Sequence, residues 1–473
     1  MKKQFIALLF WFLTGGIMAQ TMPRSTLQPR VDERVELLSI LARLADYEEY
    51  SLTPYKAYVA AIEQHFGHYK KHPAVAYMRQ VRIRRQIGYD AVMSYAIQLG
   101  PTPDLHPLVP FRQHLPDSRW AVTDANHLAG LVQQFYRDAH CAAFFRQQQP
   151  RYQLAERRFR EVTKQVDIPW YSRFYGNSPT QVFNVLVAVG NGGSNFGPHL
   201  RVGNGSETVY AIMGTWATDS TGEAHYTTAD YLPIIIHEFN HSFVNPLIDK
   251  HRVQLTKPAA TIYEQVKEPM QQQAYGNGHT MLCEALVRAT VVVYLEQHKL
   301  DGTSAREALR DEERNSFIWI DSLITLLHRY EASRKQYPTL AAFMPEHNAF
   351  YQRLAPRIAL AIQDYNNQLP VVEAIEPFIN GSQTVDSATQ EIRIRFSKPM
   401  SPAKIGIQMS EGGRKEMPLR DVHGFSDDNR TLRAVLVLKP NQPYSFKLTS
   451  RFQTPDGYAI KPYTVAFKTA AAL

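Results

Sequence analysis

The sequence has little cysteine and, beyond its first 20 residues, no long apolar run. Only Cys141 and Cys283 occur in 473 residues, too few for the disulfide framework that stabilises many small exported domains. Cys283 falls in an apolar helical pattern, so we interpret the pair as two buried thiols in preference to a disulfide. No segment after the N-terminus approaches the roughly 20 consecutive apolar residues that a membrane-spanning helix needs. We therefore predict no transmembrane segment.

Charged residues are also few, and they are scattered. They make up 20% of the chain against 44% hydrophobic residues, which is the profile of a folded globular protein. The formal net charge is +8, but the densest basic stretch, RQVRIRRQ at 79–86, has apolar residues at helical spacing. That spacing indicates a solvated helix face rather than a nucleic-acid-binding patch. We predict no nucleic-acid partner.

The first 20 residues, MKKQFIALLFWFLTGGIMAQ, have the pattern of a secretory signal peptide. Two lysines precede an apolar segment that is too short to span a bilayer, and small residues surround a cleavage point after Ala19 or Gln20. The pattern predicts an exported protein, located in the periplasm, at the cell surface or outside the cell.

The hydrophobic pattern changes along the chain in a way that predicts an α+β fold with more than one domain. Residues 21–170 have mostly helical periodicity. Residues 171–369 combine helices with two strand-like runs, VFNVLVAVG at 182–190 and ETVYAIMGTW at 207–216, which predict a small antiparallel sheet. Residues 370–473 contain short alternating strands such as EIRIRF, the pattern of a small β-sandwich.

The stretch YLPIIIHEFNHSFVNP, residues 231–246, places polar side chains in an otherwise apolar helical run. His237 and His241 are four residues apart and so share one helix face. With Glu238 they form H-E-x-x-H, in which two imidazoles bind one tetrahedral Zn²⁺ and the glutamate takes a proton from an activated water. The alternative is a pair of core histidines satisfied by hydrogen bonds, with Glu238 paired to an arginine.

A catalytic zinc site needs a third protein ligand, and three downstream glutamates are candidates. Glu264 and Glu268 lie in a mixed polar helix, where a solvated glutamate is ordinary. Glu284 lies in HTMLCEALVRATVVVYL, which is apolar almost all round and so predicts a central buried helix. A carboxylate there needs a metal or a charge partner, and we choose Glu284, with Glu264 next. The alternative for Glu284 is an ion pair with Arg288, one turn along.

HEFNHSFVNP followed by GNGHTMLCEALVRA, with the leading RVDERVELLSILARLADYEEY, resembles a family of exported bacterial gluzincin-like proteins. That family is catalogued as a domain of unknown function and regarded as zinc metallopeptidases. The resemblance covers roughly residues 30–350. It implies zinc ligands at His237, His241 and Glu284, with Glu238 as general base, and it makes residues 171–369 the gluzincin-type catalytic region.

The C-terminal segment also carries a resemblance. IRIRFSKPMSP, LVLKPNQPYSFKL and TPDGYAI make residues 370–473 similar to the bacterial immunoglobulin-like domains of envelope proteins. The resemblance implies a spacer or adhesion module that contacts the envelope or a glycan.

The chain departs from better-known gluzincins one turn after the ligand glutamate. They often have an acidic residue there that holds a ligand histidine, whereas this chain has Arg288, which cannot accept a hydrogen bond. We expect Asn245 or a backbone carbonyl to hold His241 instead, and Arg288 to orient Glu284 or to bind an anionic substrate group.

The peptidase class also needs a hydrogen-bond donor for the oxyanion and a strand for the substrate backbone. Tyr275 and His279 are the nearest candidate donors, although each is an ordinary structural residue in the alternative interpretation. In peptidases of this architecture an edge strand lies above the active-site helix. By chain order and analogy alone, we assign that place to ETVYAIMGTW.

These features together predict an exported zinc metallopeptidase that acts on a peptide or protein substrate. Two alternatives stay open. One is a non-catalytic protein that binds peptide or glycan on a peptidase-like fold. The other is a narrow-specificity zinc hydrolase that acts on glycoprotein or cell-wall peptides.

Overall fold

The computed structural model describes residues 27–52, 55–203, 205–300 and 304–471. The predicted signal peptide lies outside the described residues. Within them the protein is α+β, as predicted, with most helices before residue 370 and small sheets both there and after it. The helices are α1 Glu33–Leu44, α2 Glu48–Ser51, α3 Lys56–Phe66, α4 Pro73–Arg85, α5 Asp90–Gln98, α6 Val122–Asp138, α7 Cys141–Thr163, α8 Ile168–Tyr175, α9 Thr228–Lys250, α10 Arg252–Gln272, α11 Gly278–His298, α12 Ala305–Arg314, α13 Ile320–Ala332, α14 Leu340–Leu354 and α15 Ile358–Gln368.

Ten strands form three sheets within the described part of the chain. Their order is β1-β3-β2 in the first sheet, β4-β5-β8-β7 in the second and β10-β9-β6 in the third. The strands are β1 Val182–Ala188, β2 His199–Arg201, β3 Glu207–Gly214, β4 Val372–Glu376, β5 Glu391–Phe396, β6 Ile407–Met409, β7 Leu419–Phe425, β8 Thr431–Leu436, β9 Pro443–Leu448 and β10 Tyr463–Lys468.

The first sheet corrects two of our predictions. β1 runs parallel to β3 and only β2 is antiparallel to it, so the sheet is mixed rather than antiparallel. β3, the strand of ETVYAIMGTW, is central and not an edge. One edge is instead β2 with the residues before it, where Phe196 and Ile212 exchange backbone hydrogen bonds of 3.0 and 2.8 Å. We had assigned β3 as the edge strand that pairs with a substrate backbone. The free edge is instead the segment 195–201.

α11 is the central helix of the first hydrophobic core. It is buried from Met281 to Leu295 except at Arg288, which is half-buried, because its sequence is apolar on every face. α9, α10, α12 and α13 all pack against it. By length and composition it is the one helix among the described residues that a membrane could accommodate, but 78% of its most apolar window is buried inside the protein.

A second hydrophobic core lies between the sheets after residue 370. The strands β5, β8 and β9 bury every second residue, the period-2 pattern of strands with one face on a core. Phe396, Leu432, Phe446 and Val465 from both sheets meet in this core. The domain boundaries at 170 and 370 stay predictions, and we call residues 370–471 the β module.

Both cysteines are buried and free, as we interpreted them from the sequence. Cys141 begins α7 and Cys283 lies in α11. Burial raises the pKa of each thiol, which makes both of them poor nucleophiles.

Candidate metal centre

α9 carries the two histidines, and its start is fixed by a reciprocal cap. Thr227 accepts a hydrogen bond from the Asp230 backbone N–H at 3.1 Å, and its hydroxyl donates to the Asp230 carboxylate at 2.6 Å. Thr227 is therefore the N-cap of α9. About two turns beyond Asp230, α9 presents His237 and His241 towards α11.

α11 carries Glu284 and begins at a close contact with α10. Asn277 caps the helix by accepting from the Thr280 N–H at 2.9 Å. A side chain on Gly278 would lie 2.6 Å from the backbone oxygen of Ala259, so only glycine allows this approach. The approach fixes the position of Glu284 along α11.

The structure brings the three predicted metal-binding side chains together. The Nε2 atoms of His237 and His241 are 3.1 Å apart. The carboxylate oxygens of Glu284 lie 3.5 Å from His237 Nε2 and 3.4 Å from His241 Nε2. No other group of three or more metal-binding side chains occurs among the described residues.

These distances fit a tetrahedral metal site. Four ligands at the usual zinc distances of about 2.0–2.1 Å would be separated from one another by about 3.3 Å, close to the three separations here. Burial, with a smaller contribution from His241 and Arg288, lowers the pKa of His237 well below its usual value. The neutral imidazole is the form that binds a metal.

Glu264 and Glu268, the alternative third ligands, remain outside this cluster. Glu264 lies on an exposed part of α10 and pairs with Lys267 at 3.4 Å. It has the solvated position that we described as ordinary for a glutamate in a mixed polar helix.

Glu284 is also held from its other side. Tyr275 donates to its Oε2 at 3.1 Å, and Arg288 Nε lies 3.4 Å from the same oxygen. Arg288 in turn donates to the Tyr275 hydroxyl at 2.7 Å and forms an ion pair with Glu312 of α12. The ion pair that we considered as the alternative for Glu284 is thus present beside the cluster and orients the carboxylate towards the histidines.

Asn245 lies where we expected a partner for a ligand histidine. Its Oδ1 is 3.2 Å from His241 Nδ1. A proton on Nδ1 directed at this oxygen leaves the Nε2 lone pair free to bind a metal. His279 is directed elsewhere, since its Nε2 lies 3.0 Å from Asp249 at the end of α9. Of the two candidate oxyanion donors, Tyr275 is therefore the one in contact with the cluster.

Glu238 lies beside the cluster under the edge segment 195–201. Burial raises the pKa of this carboxyl to about 7, and neighbouring Glu284 adds to the rise while His241 opposes it. A side chain on Gly197 would lie 3.0 Å from Glu238 Cδ and 3.2 Å from its Cβ. The stretch GNGGSNFGPH at 190–199 is the glycine-rich segment. Its Gly197 is what lets the edge segment 195–201 cross Glu238 so closely.

Glu36 of α1 ties the glycine-rich segment to the core and was missed in the sequence. Its carboxylate accepts from the backbone N–H groups of Val189 and Gly190 at 2.7 and 3.0 Å, and from the Tyr58 hydroxyl at 2.6 Å. A glutamate next to the apolar run of α1 was the available signal, but the two backbone N–H groups that it accepts from are more than 150 residues away.

A cleft of about 630 Å³ opens beside the cluster. His237, Glu238 and Arg288 line it, together with apolar side chains of α11 and residues of α12. Two lining residues that sequence reasoning missed are Asn195 on the edge segment and Glu312 on α12. Both come from elements whose approach to the site depends on long-range packing.

The chain matches a family model described as "Domain of unknown function (DUF4932)" over residues 27–349. None of the curated proteins matches it. Among solved structures it is similar to the S-layer protein rSbsC(31-844), with 14% identity, 85% of this chain and 46% of that chain covered, and a TM-score of 0.19. The chain thus spans less than half of that structure, and this TM-score supports no argument. The match over most of its length shows that this chain belongs to the DUF4932 family.

Proposed function

We propose that this protein is a zinc-dependent metallopeptidase of the gluzincin type, with metal ligands His237, His241 and Glu284. One observation supports this above the others. Three side chains lie at tetrahedral separations, and one of them, His237, lines a cleft together with the half-buried Glu238. Peptide hydrolysis by a zinc enzyme requires that combination.

Zinc in this site would act as a Lewis acid on the scissile carbonyl and lower the pKa of the attacking water. Glu238 takes a proton from that water at its carboxylate and delivers it to the leaving amine nitrogen. A carboxyl pKa of about 7 suits a group that must accept and release a proton near neutrality. A bound cation would lower this pKa, which favours the ionised form that the first step needs.

The remaining residues of the site orient the substrate. The segment 195–201 forms an edge of the first sheet, and an extended peptide can add to such an edge through backbone hydrogen bonds. Tyr275 keeps its proton at neutral pH, because burial raises its pKa to about 12. We assign Tyr275 to the oxyanion, a role for which its hydroxyl proton must turn away from Glu284 Oε2, the acceptor it has in this structure.

The proposal also covers two features outside the metal site, export of the protein and the identity of the β module. We retain export, because of the sequence pattern of residues 1–20. We also retain an immunoglobulin-like identity for the β module, because its two antiparallel sheets enclose one core. Each can be tested apart from catalysis. N-terminal sequencing of the exported protein tests the cleavage site, and an experimental structure of the full-length mature protein tests the fold of the β module.

The experiment that tests the function is cleavage of a diverse peptide library by zinc-loaded protein, read by mass spectrometry. Glu238→Gln removes the base while keeping the shape of the side chain. Glu264→Gln is the matched control, since it makes the same change at an exposed glutamate of α10.

The proposal predicts products from wild type and Glu264→Gln that are absent with Glu238→Gln. Products that persist in Glu238→Gln would refute the assigned base. A protein that binds zinc but cuts no library peptide would favour the narrow-specificity hydrolase or the non-catalytic binding protein, and cell-wall and glycoprotein peptides would then separate these two.

A further inference from the structure

α12 forms one wall of the cleft and is also the helix on which the β module rests. On the cleft side it contributes Glu307, Asp311 and Glu312 to the lining. The same helix borders a second cavity of about 360 Å³, whose opposite wall includes Lys404 and Gln453 of the β module. The two cavities share α12 as their common wall.

The β module holds α12 through several contacts of its turn 454–458. The Arg310 guanidinium lies over the Tyr458 ring, with its Cζ 4.0 Å from the ring centre, and Arg310 Nε donates to the Asp456 backbone oxygen at 3.2 Å. Arg314 donates to the Gly457 backbone oxygen at 3.4 Å. An exposed ion pair between Lys404 and Glu307, at 2.8 Å, adds a weaker contact.

From α12 the contacts continue to the metal centre. Glu312 is two residues from Arg310 on the same helix and forms the ion pair with Arg288. Arg288 lies 3.4 Å from the Glu284 carboxylate and donates to Tyr275. Every step in this series, from Tyr458 through Arg310, α12, Glu312 and Arg288 to Glu284, is a direct contact or a rigid helical connection.

We propose that the β module is a working part of the metal centre, in which Tyr458 positions α12 and, through Glu312 and Arg288, the ligand Glu284. This differs from the spacer or adhesion role that its sequence implied. The proposal rests on the proposed function only in taking Glu284 as a metal ligand. Arg310 and Tyr458 are positioning residues, since neither lines the cleft.

The test compares three variants of the full-length mature protein. Tyr458→Ala removes the ring beneath Arg310, whereas Tyr458→Phe retains the ring face that attracts the cation. Arg433→Ala is the control, because it breaks an ion pair of 2.8 Å with Glu391 within the β module, away from α12. Two quantities are measured: zinc affinity by competition with a chelator, and hydrogen–deuterium exchange of residues 305–314.

We expect Tyr458→Ala to lower zinc affinity about three- to tenfold, less than the 10- to 100-fold typical of a direct partner of a metal ligand. Exchange of residues 305–314 should quicken, because α12 loses a packing contact. Tyr458→Phe and Arg433→Ala should match wild type in both quantities. Unchanged zinc affinity in folded Tyr458→Ala would overturn the proposal, whether or not the exchange of α12 quickens.

If Tyr458→Ala unfolds the β module, Arg310→Gln decides, since it loosens the same contact from the α12 side. Loss of zinc affinity with an intact circular dichroism spectrum would support the proposal, and wild-type affinity would overturn it. A wild-type protein that binds no zinc would refute the proposed function. In that case faster exchange of α12 in Tyr458→Ala would still show that the β module holds α12 through the contact of Arg310 with Tyr458. Unchanged exchange would refute that role of the contact too.

Discussion

Replacing Gly197 by alanine should disable catalysis without disturbing the fold or the metal site. Gly197 has no positive φ, so alanine can adopt its backbone conformation. Its new methyl group would lie 3.0 Å from Glu238 Cδ and 3.2 Å from Glu238 Cβ. The neighbour that must move is thus the flexible side chain of the proposed base, and not backbone.

The size of the effect follows from these distances. Ordinary contact between carbon atoms needs about 3.5–4.0 Å, and Glu238 Oε2 would lie still closer to the methyl group than Cδ does. The carboxyl group must therefore move by roughly 1 Å or more. A displacement of about 1 Å at a reacting group can reduce the rate about 100-fold. The free energy of unfolding should change by less than about 1 kcal/mol, since glycine-to-alanine changes at compatible sites are mildly stabilising and the side chain can rotate away.

The assay is kcat/KM on a cleaved peptide, measured beside zinc affinity and urea unfolding. Gly193→Ala is the matched control from the same glycine-rich segment, because a side chain there would meet only Trp216 Cβ at 3.7 Å, an ordinary contact. We expect a large loss of kcat/KM in Gly197→Ala alone, with zinc affinity unchanged. Activity within twofold of wild type in folded, zinc-loaded Gly197→Ala would refute the position that we assign to the base.

Three further predictions concern the metal site and the buried carboxyl of α1. Asn245→Ala should weaken zinc binding about 10- to 100-fold, because His241 loses the acceptor that orients it. Chelator competition measures this loss, and Asn245→Asp, which keeps an acceptor, should bind like wild type. Zinc at about 1,000 times its Kd should raise the free energy of unfolding by about 4 kcal/mol. Thermal unfolding should show no such shift in His237→Ala, and an equal shift there would place the metal elsewhere. Burial raises the pKa of Glu36 from 4.5 to about 7, so the folded state holds this proton more tightly than the unfolded state. Stability should therefore fall as pH rises from about 5 to about 8, by up to about 3 kcal/mol. Urea unfolding at both pH values should show a smaller fall in Glu36→Gln, and an undiminished fall would contradict the assignment.

The local parts of the site could be predicted because short-range rules determine them. The spacing of His237 and His241 puts both on one helix face, and an apolar helix around Glu284 marks a carboxylate that needs partners. The cap of α9 shows the limit of such rules. Both Thr227 and Asp230 have capping side chains, and their reciprocal hydrogen bonds decide for the earlier start.

The parts that could not be predicted depend on contacts between distant residues. β2 is only three residues long and has no recognisable pattern of its own, so the edge of the first sheet was assigned to the wrong strand. The approach of α12 to the cleft depends on packing against both α11 and the β module. In the sequence Glu312 is one of several charged residues of a polar helix, and nothing local marks its ion pair with Arg288.

The central claim is that His237, His241 and Glu284 form a zinc centre beside Glu238. Anomalous diffraction at the zinc edge from crystals of the zinc-loaded protein tests it most directly. We predict one strong peak in bonding contact with the Nε2 atoms of both histidines and with the Glu284 carboxylate. A peak held by other residues, or none at these three side chains, would contradict the account.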